Sequence, residues 1–145
     1  MKPLALFCAV LLTTSLRAED PAAKVVDLKA PQAIELVKKE AEAAKADPKK
    51  QPLTVLDVRT PAEYAKGHVA GAKNVDFHDD AFKDVIAKLD KSQPYLVHCA
   101  AGGRSAKTRD LMKALGFKNI FHLEGGLTAW QEAGGPVVKP APAKP

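Results

Sequence analysis

The sequence predicts an α/β chain built on a mostly parallel sheet with helices packed on both faces. Two observations carry that expectation. Short apolar runs of strand length alternate with longer segments whose apolar residues recur at helical spacing. A glycine-bearing loop, "HCAAGGRS", then joins one such run directly to one such segment. Strands separated by helices return in the same direction, and the helices cover the sheet on both sides.

The elements follow in order. Val25 to Leu28 reads as a short strand, and Pro31 to Asp47 as a helix with apolar Ala33, Ile34, Val37 and Ala41 on one side and Pro31 suited to its first turn. "DPKKQP" (Asp47 to Pro52) breaks that helix, and Leu53 to Val58 is an apolar run fit for a buried strand. Thr60 is the N-cap of a helix over Pro61 to Lys66, with Glu63 completing a capping box and Gly67 stopping it. Asn74 to Phe77 is the next strand, Asp79 to Asp90 a helix carrying Phe82, Val85, Ile86 and Leu89, and Tyr95 to His98 a strand. Ser105 is expected to cap a helix running through Leu115, which Gly116 ends. Asn119 to Leu123 is a strand, Gly126 to Ala133 a last helix, and the Pro-rich stretch after it a loose tail.

The termini bound the working part. Lys2, the apolar run Leu4 to Leu12 and the end Leu16-Arg17-Ala18 have the layout of a secretory signal peptide over residues 1–18, its apolar run too short to span a bilayer. One domain is then expected over 19–135, with a flexible tail over 136–145 and a periplasmic or secreted location. Without Lys2 and Arg17 the 22 basic residues become 20 against 17 acidic, so the net charge falls from +5 to +3. That mild balance, with Lys and Glu alternating along helices, reads as ordinary surface and argues against a nucleic-acid partner. No membrane contact is expected once the leader is removed. Cys8 would leave with the leader, so Cys99 would be the single thiol, which no internal disulfide can protect.

The loop gives that thiol a purpose. A tight turn at a helix N-terminus leaves several backbone N–H groups without helical partners and pointing inward, and Gly102 and Gly103 permit the dihedrals that curl such a loop into an anion-binding nest. The amides and Arg104 would favour the thiolate of Cys99, which settings of this kind bring from ~8.5 to roughly 3.5–7.5. The expectation is a nucleophilic sulfur, ionised and open to solvent. A buried structural cysteine is the bland alternative. Metal binding has no support, since no Cys-x-x-Cys is present and His68, His78, His98 and His122 are scattered as structural histidines would be.

Two blocks, "LDVRTPAEYAKGHVAGAKNVDF" and "VHCAAGGRSAKTRDLMKALGFKNIFHLEGGLTAWQEAGGPV", resemble the rhodaneses, the sulfurtransferase family, over nearly all of the chain beyond the leader. The resemblance implies a five-stranded parallel α/β sheet. It implies that Cys99 takes the outer sulfur of a donor and carries it as a persulfide, with no cofactor. Arg104 would close the loop and hold an anionic donor, and the amides of Ala100, Ala101, Gly102, Gly103, Arg104 and Ser105 would line the pocket. Asp57, Arg59, Glu63 and His68 match the upstream motif and are expected to be mainly structural, with Arg59 and Glu63 pairing across one turn. Well-known thiosulfate-using members often carry a charge within the loop, whereas here Ala100 to Gly103 precede Arg104. The expected function is transfer of sulfane sulfur from a donor such as thiosulfate to cyanide, a thiol or a partner protein. The alternatives are a non-catalytic sulfur- or thiol-sensing module and, from the similar His-Cys cradle, a cysteine phosphatase or arsenate reductase. Phosphatases place five residues between Cys and Arg, and this chain has four.

Overall fold

The computed structural model describes residues 22–140. The expected leader therefore lies outside the described residues, as do the last five residues of the expected tail.

Ten elements alternate along the chain: β1 Lys24–Leu28, α1 Ala30–Ala46, β2 Thr54–Asp57, α2 Pro61–Ala65, β3 Lys73–Asn74, α3 Phe82–Ala87, β4 Pro94–His98, α4 Gly103–Ala114, β5 Asn119–Leu123 and α5 Gly126–Glu132. The five strands form one parallel sheet in the order β1-β5-β4-β2-β3. The sequence expectation of a five-stranded parallel sheet covered on both faces is met.

Side-chain alternation along the strands splits the core in two. Tyr95, Val97 and Cys99 join Leu56, Val58 and Ile120 under Phe82 and Ile86 of α3 and Met112 of α4. Leu96, Val55 and Leu123 face the other way, onto Ala30 and Ala33 of α1 and Leu127 and Trp130 of α5. The central strand β4 is buried from Tyr95 to His98, so its carboxyl end is fixed from above and below.

Three expected elements differ in extent. The strand expected over Asn74 to Phe77 is only Lys73–Asn74, because Asp76 turns the chain: its carboxylate accepts from the His78 N–H at 2.9 Å. The helix expected over Asp79 to Asp90 is cut to Phe82–Ala87, since Asp79 makes the same kind of turn with the Ala81 N–H at 2.8 Å and Asp90 with Ser92 at 2.9 Å. The helix expected to start at Ser105 begins at Gly103, with Gly102 as N-cap at φ +104°, so Ser105 sits inside the first turn.

The start of the expected flexible tail is docked. Val138 forms an antiparallel bridge with His68, its N–H donating to the His68 carbonyl at 2.8 Å and the return bond also 2.8 Å. Trp130 Nε1–H donates to the Pro136 carbonyl at 3.0 Å, and Val137 packs on the α1–α5 side of the core. Proline in this segment removes donors from its own ring positions but leaves these carbonyls and the Val138 amide free to bond.

Candidate active site

Cys99 directly follows β4 on the face that α4 covers. The chain then curls through Ala100 and Ala101, turns at Gly102 and enters α4. The Gly102 N–H donates to Cys99 Sγ at 3.0 Å, and Ser105 Oγ lies 3.4 Å from the same sulfur. The amides of Ala101 and Ser105 also point at it. Burial opposes ionisation of the thiol, but the Ser105 hydroxyl and the amides of Ser105, Gly102 and Ala101 outweigh it and hold the Cys99 pKa below the ordinary thiol value. The N-terminus of the twelve-residue α4 adds its positive end to the same place.

Two expectations change here. The loop is cupped, yet Cys99 is only 2% exposed rather than open to solvent, because the first turn of α4 packs over it and Ser105 is itself fully buried. Of the six residues expected to line the pocket, Ala101, Gly102 and Ser105 direct backbone amides at the sulfur and Arg104 directs its side chain there. Ala100 instead turns its carbonyl toward α5. Gly103 has no positive φ and serves as the first helical residue, so the left-handed turn rests on Gly102 alone.

α5 holds the loop from behind. The Leu127 N–H donates to the Cys99 carbonyl at 2.8 Å, while the Thr128 N–H and Oγ1 both donate to the Ala100 carbonyl at 3.1 Å. That approach needs Gly126, at φ +59°, because a Cβ there would strike the Cys99 oxygen and the Ala100 backbone.

Arg104 lies at the loop as expected, but its partner differs from the expectation. Its guanidinium forks onto Glu63, with Nη2 to Oε1 at 2.8 Å and Nη1 to Oε2 at 2.9 Å, and it stays within electrostatic reach of Cys99. Glu63 thus does not pair its carboxylate with Arg59. It caps α2 through Thr60 and ties α2 to the sulfur loop, and the Arg104 fork holds its carboxyl at about 2. Arg59 instead chelates the fully buried Asp57, with Nη2 to Oδ2 at 2.6 Å, and donates to the Glu63 and Gly67 carbonyls. His68 stacks on Tyr64 at 3.6 Å between ring centroids. His98 is buried, its Nδ1 3.2 Å from the Cys99 carbonyl oxygen, and burial pushes it toward the neutral form.

Two residues near the sulfur escaped the sequence reading. His122, expected to be one of several unrelated histidines, places Nε2 3.0 Å from Ser105 Oγ and Nδ1 3.0 Å from Asp27 Oδ1. Asp27 in turn accepts from Arg109 Nη1 at 2.6 Å, and Arg109 lowers the Asp27 pKa. The signal for this pair is the alternation of β1 and β5, which puts Asp27 with Val25 and His122 with Ile120 on the α4 face. Their mutual register is tertiary information. Among the described residues no group of three or more His, Cys, Asp or Glu side chains is placed to hold a metal ion.

A cysteine at the carboxyl end of a central parallel strand, cradled by the amides of a following helix, defines a class of α/β proteins that carry a cysteine on a strand-to-helix loop at the edge where such sheets place their working groups. Comparison with known proteins narrows this: the Rhodanese-like domain family matches residues 37–133, and the chain belongs to that family. It is similar to the thiosulfate sulfurtransferase GlpE of Pseudomonas entomophila, 36% identical over 53% of this chain and 69% of that protein. It is also similar to thiosulfate sulfurtransferase 16, chloroplastic, of Arabidopsis thaliana, 38% identical over 56% of this chain and 76% of that one. Among solved structures it resembles a rhodanese-related protein from Thermoplasma volcanium, with TM-score 0.63, 31% identity and coverage of 78% and 97%. These relatives place the chain in a sulfurtransferase family.

Proposed function

We propose that this chain is a sulfurtransferase that carries sulfane sulfur as a persulfide on Cys99, with thiosulfate as the favoured donor. The observation that supports this most is the sulfur held between the Gly102 amide and the Ser105 hydroxyl, with its pKa lowered. The Cys99 thiolate attacks the outer sulfur of the donor. A Cys99 S–S bond forms, the S–S bond of thiosulfate breaks, and sulfite leaves with the bonding electron pair. Arg104 offers its guanidinium to the donor's anionic end once that group competes with Glu63. Cyanide or an acceptor thiol then takes the outer sulfur and releases the thiolate, a two-stage scheme with ping-pong kinetics and no cofactor. A partner protein bearing the acceptor thiol fits the same step.

Intact-mass measurement tests this. After thiosulfate treatment the protein should gain one sulfur atom, lose it to cyanide, and gain nothing as Cys99→Ala. Absence of the adduct with turnover of an aryl phosphate would favour the phosphatase reading instead. Absence of both activities would favour a binding module. The site is further proposed to work outside the cytoplasm, on the leader-like residues 1–18. A mature chain isolated from an exported fraction should then begin at Glu19, and an unprocessed Met1 there would contradict it.

A further inference from the structure

The polar groups around Cys99 continue away from the sulfur in a line that the transfer scheme above leaves without a task. Asp27 on β1 and His122 on β5 are direct partners in the parallel register, and both project onto the face that carries Cys99. From there the contacts run Asp27 Oδ1 to His122 Nδ1 at 3.0 Å, His122 Nε2 to Ser105 Oγ at 3.0 Å, and Ser105 Oγ to Cys99 Sγ at 3.4 Å. Ser105 is fully buried and His122 is 5% exposed, so bulk water does not interrupt the line at its middle.

The donor and acceptor inventory fixes how this line works. An ionised carboxylate only accepts, so the Nδ1 facing Asp27 carries a hydrogen, and Nε2 is the position that changes. With Nε2 bare, Cys99 Sγ–H donates to Ser105 Oγ and the Ser105 hydroxyl donates to Nε2. With Nε2 protonated, Nε2–H donates to Ser105 Oγ and the Ser105 hydroxyl donates to the Cys99 thiolate. Two short hops interconvert these states: the Ser105 hydrogen moves to Nε2 and the Cys99 hydrogen moves to Ser105 Oγ. No atom or charge is gained or lost. The Gly102 carbonyl oxygen lies 3.3 Å from Nε2 and 3.1 Å from Ser105 Oγ, and it also accepts the Ala106 N–H at 3.0 Å, so it is a further acceptor beside the line in either state.

We propose that Asp27, His122 and Ser105 form a proton relay that stores the Cys99 thiol proton and thereby sets the pH range in which the thiolate forms. The three are positioning residues, because they act on the sulfur donor only through Cys99. The charged groups facing the line are few. Asp27 comes from β1, Arg109 of α4 bonds Asp27 Oδ1 at 2.6 Å and Asp110 at 2.9 Å, and at the sulfur end stands Arg104 of α4 with Glu63 of α2. Arg109 keeps Asp27 ionised, which is the condition the relay needs. His98 of β4 alternates to the opposite face beside Asp57 and takes no part. The inference rests on Cys99 being the reacting atom of the proposed sulfur transfer, but it concerns ionisation rather than the donor.

The test is the pH dependence of Cys99 alkylation by iodoacetamide in the full chain, followed by mass on the peptide that carries Cys99. Compared with wild type, His122→Gln should slow alkylation about ten-fold near pH ~6.5 and approach the wild-type rate above pH ~9, because the stabilising imidazolium is gone while the loop amides remain. Asp27→Asn should move the same acid limb in the same direction by less, and it keeps the test decisive if His122→Gln fails to fold. Profiles superimposable on wild type would overturn the relay. So would an equal slowing at every pH, which is what a packing role alone produces. Persulfide formation from thiosulfate is read in parallel on the wild-type protein: its failure would sink the sulfur-transfer reading and leave the alkylation comparison standing.

Discussion

At the sulfur of Cys99, burial and hydrogen bonding pull in opposite directions, and the hydrogen bonds win because three amides and a hydroxyl converge on one atom. The same arithmetic governs Glu63. Its carboxyl is held at about 2 by Arg104, below the unperturbed 4.5. A carboxylate with a depressed folded-state pKa contributes stability that is present above its unfolded pKa and is lost as pH falls toward the folded one. The Glu63–Arg104 fork should therefore stabilise the protein fully above pH 4.5 and fade on acidification toward about pH 2. Both side chains are part exposed, at 33% and 22%, so solvent screening keeps the effect modest. Glu63→Gln should flatten the thermal unfolding midpoint against pH across that window, and an unchanged slope would show that the fork adds nothing. Cys99 could be singled out from sequence because glycines and Arg-Ser surround it. Glu63 was legible as a cap but was expected to pair with Arg59 across one turn, because its actual partner, Arg104, lies 41 residues away.

At the scale of elements, α5 and the sulfur loop behave as one unit, joined by amides that donate to the Cys99 and Ala100 carbonyls. Gly126→Ala would drive a methyl into those carbonyls at a left-handed φ. It should cost at least ten-fold in persulfide formation by displacing Cys99, as misplacement by about 1 Å can cost about 100-fold. Gly103→Ala, whose Cβ meets nothing within 4 Å and whose backbone is helical, should leave the rate within about two-fold and slightly steady α4. Equal loss in both variants, measured as sulfur uptake per minute, would contradict this division. The elements themselves were largely legible: apolar runs marked β2, β4 and β5, and Thr60 with Glu63 marked α2. β3 and α3 came out shorter because Asp76, Asp79 and Asp90 fold their carboxylates back on following amides, a competition that periodicity does not register. Asp27 and His122 were not legible as a pair, because strand register between β1 and β5 arises from the whole sheet.

Across the whole molecule, the sheet order puts β4 at the centre, and the chain spends its two apolar layers on fixing that strand's carboxyl end. The segment from Pro136 to Val138 extends the α1–α5 layer by covering Trp130 and bridging His68. Ending the chain after Gly135 should lower the unfolding midpoint by several degrees, since it strips the Trp130 partner and the Val137 packing, a loss of about 1–3 kcal/mol. An unchanged midpoint would mean the segment is a passenger. The proposed sulfur transfer requires one condition of this architecture, a thiolate at neutral pH, and ultraviolet titration of thiolate absorbance in wild type minus Cys99→Ala measures it most directly. The difference should titrate with a midpoint clearly below the ~8.5 of a free cysteine. A midpoint at or above that value would mean that burial has won at Cys99 and that the cup does not make a nucleophile.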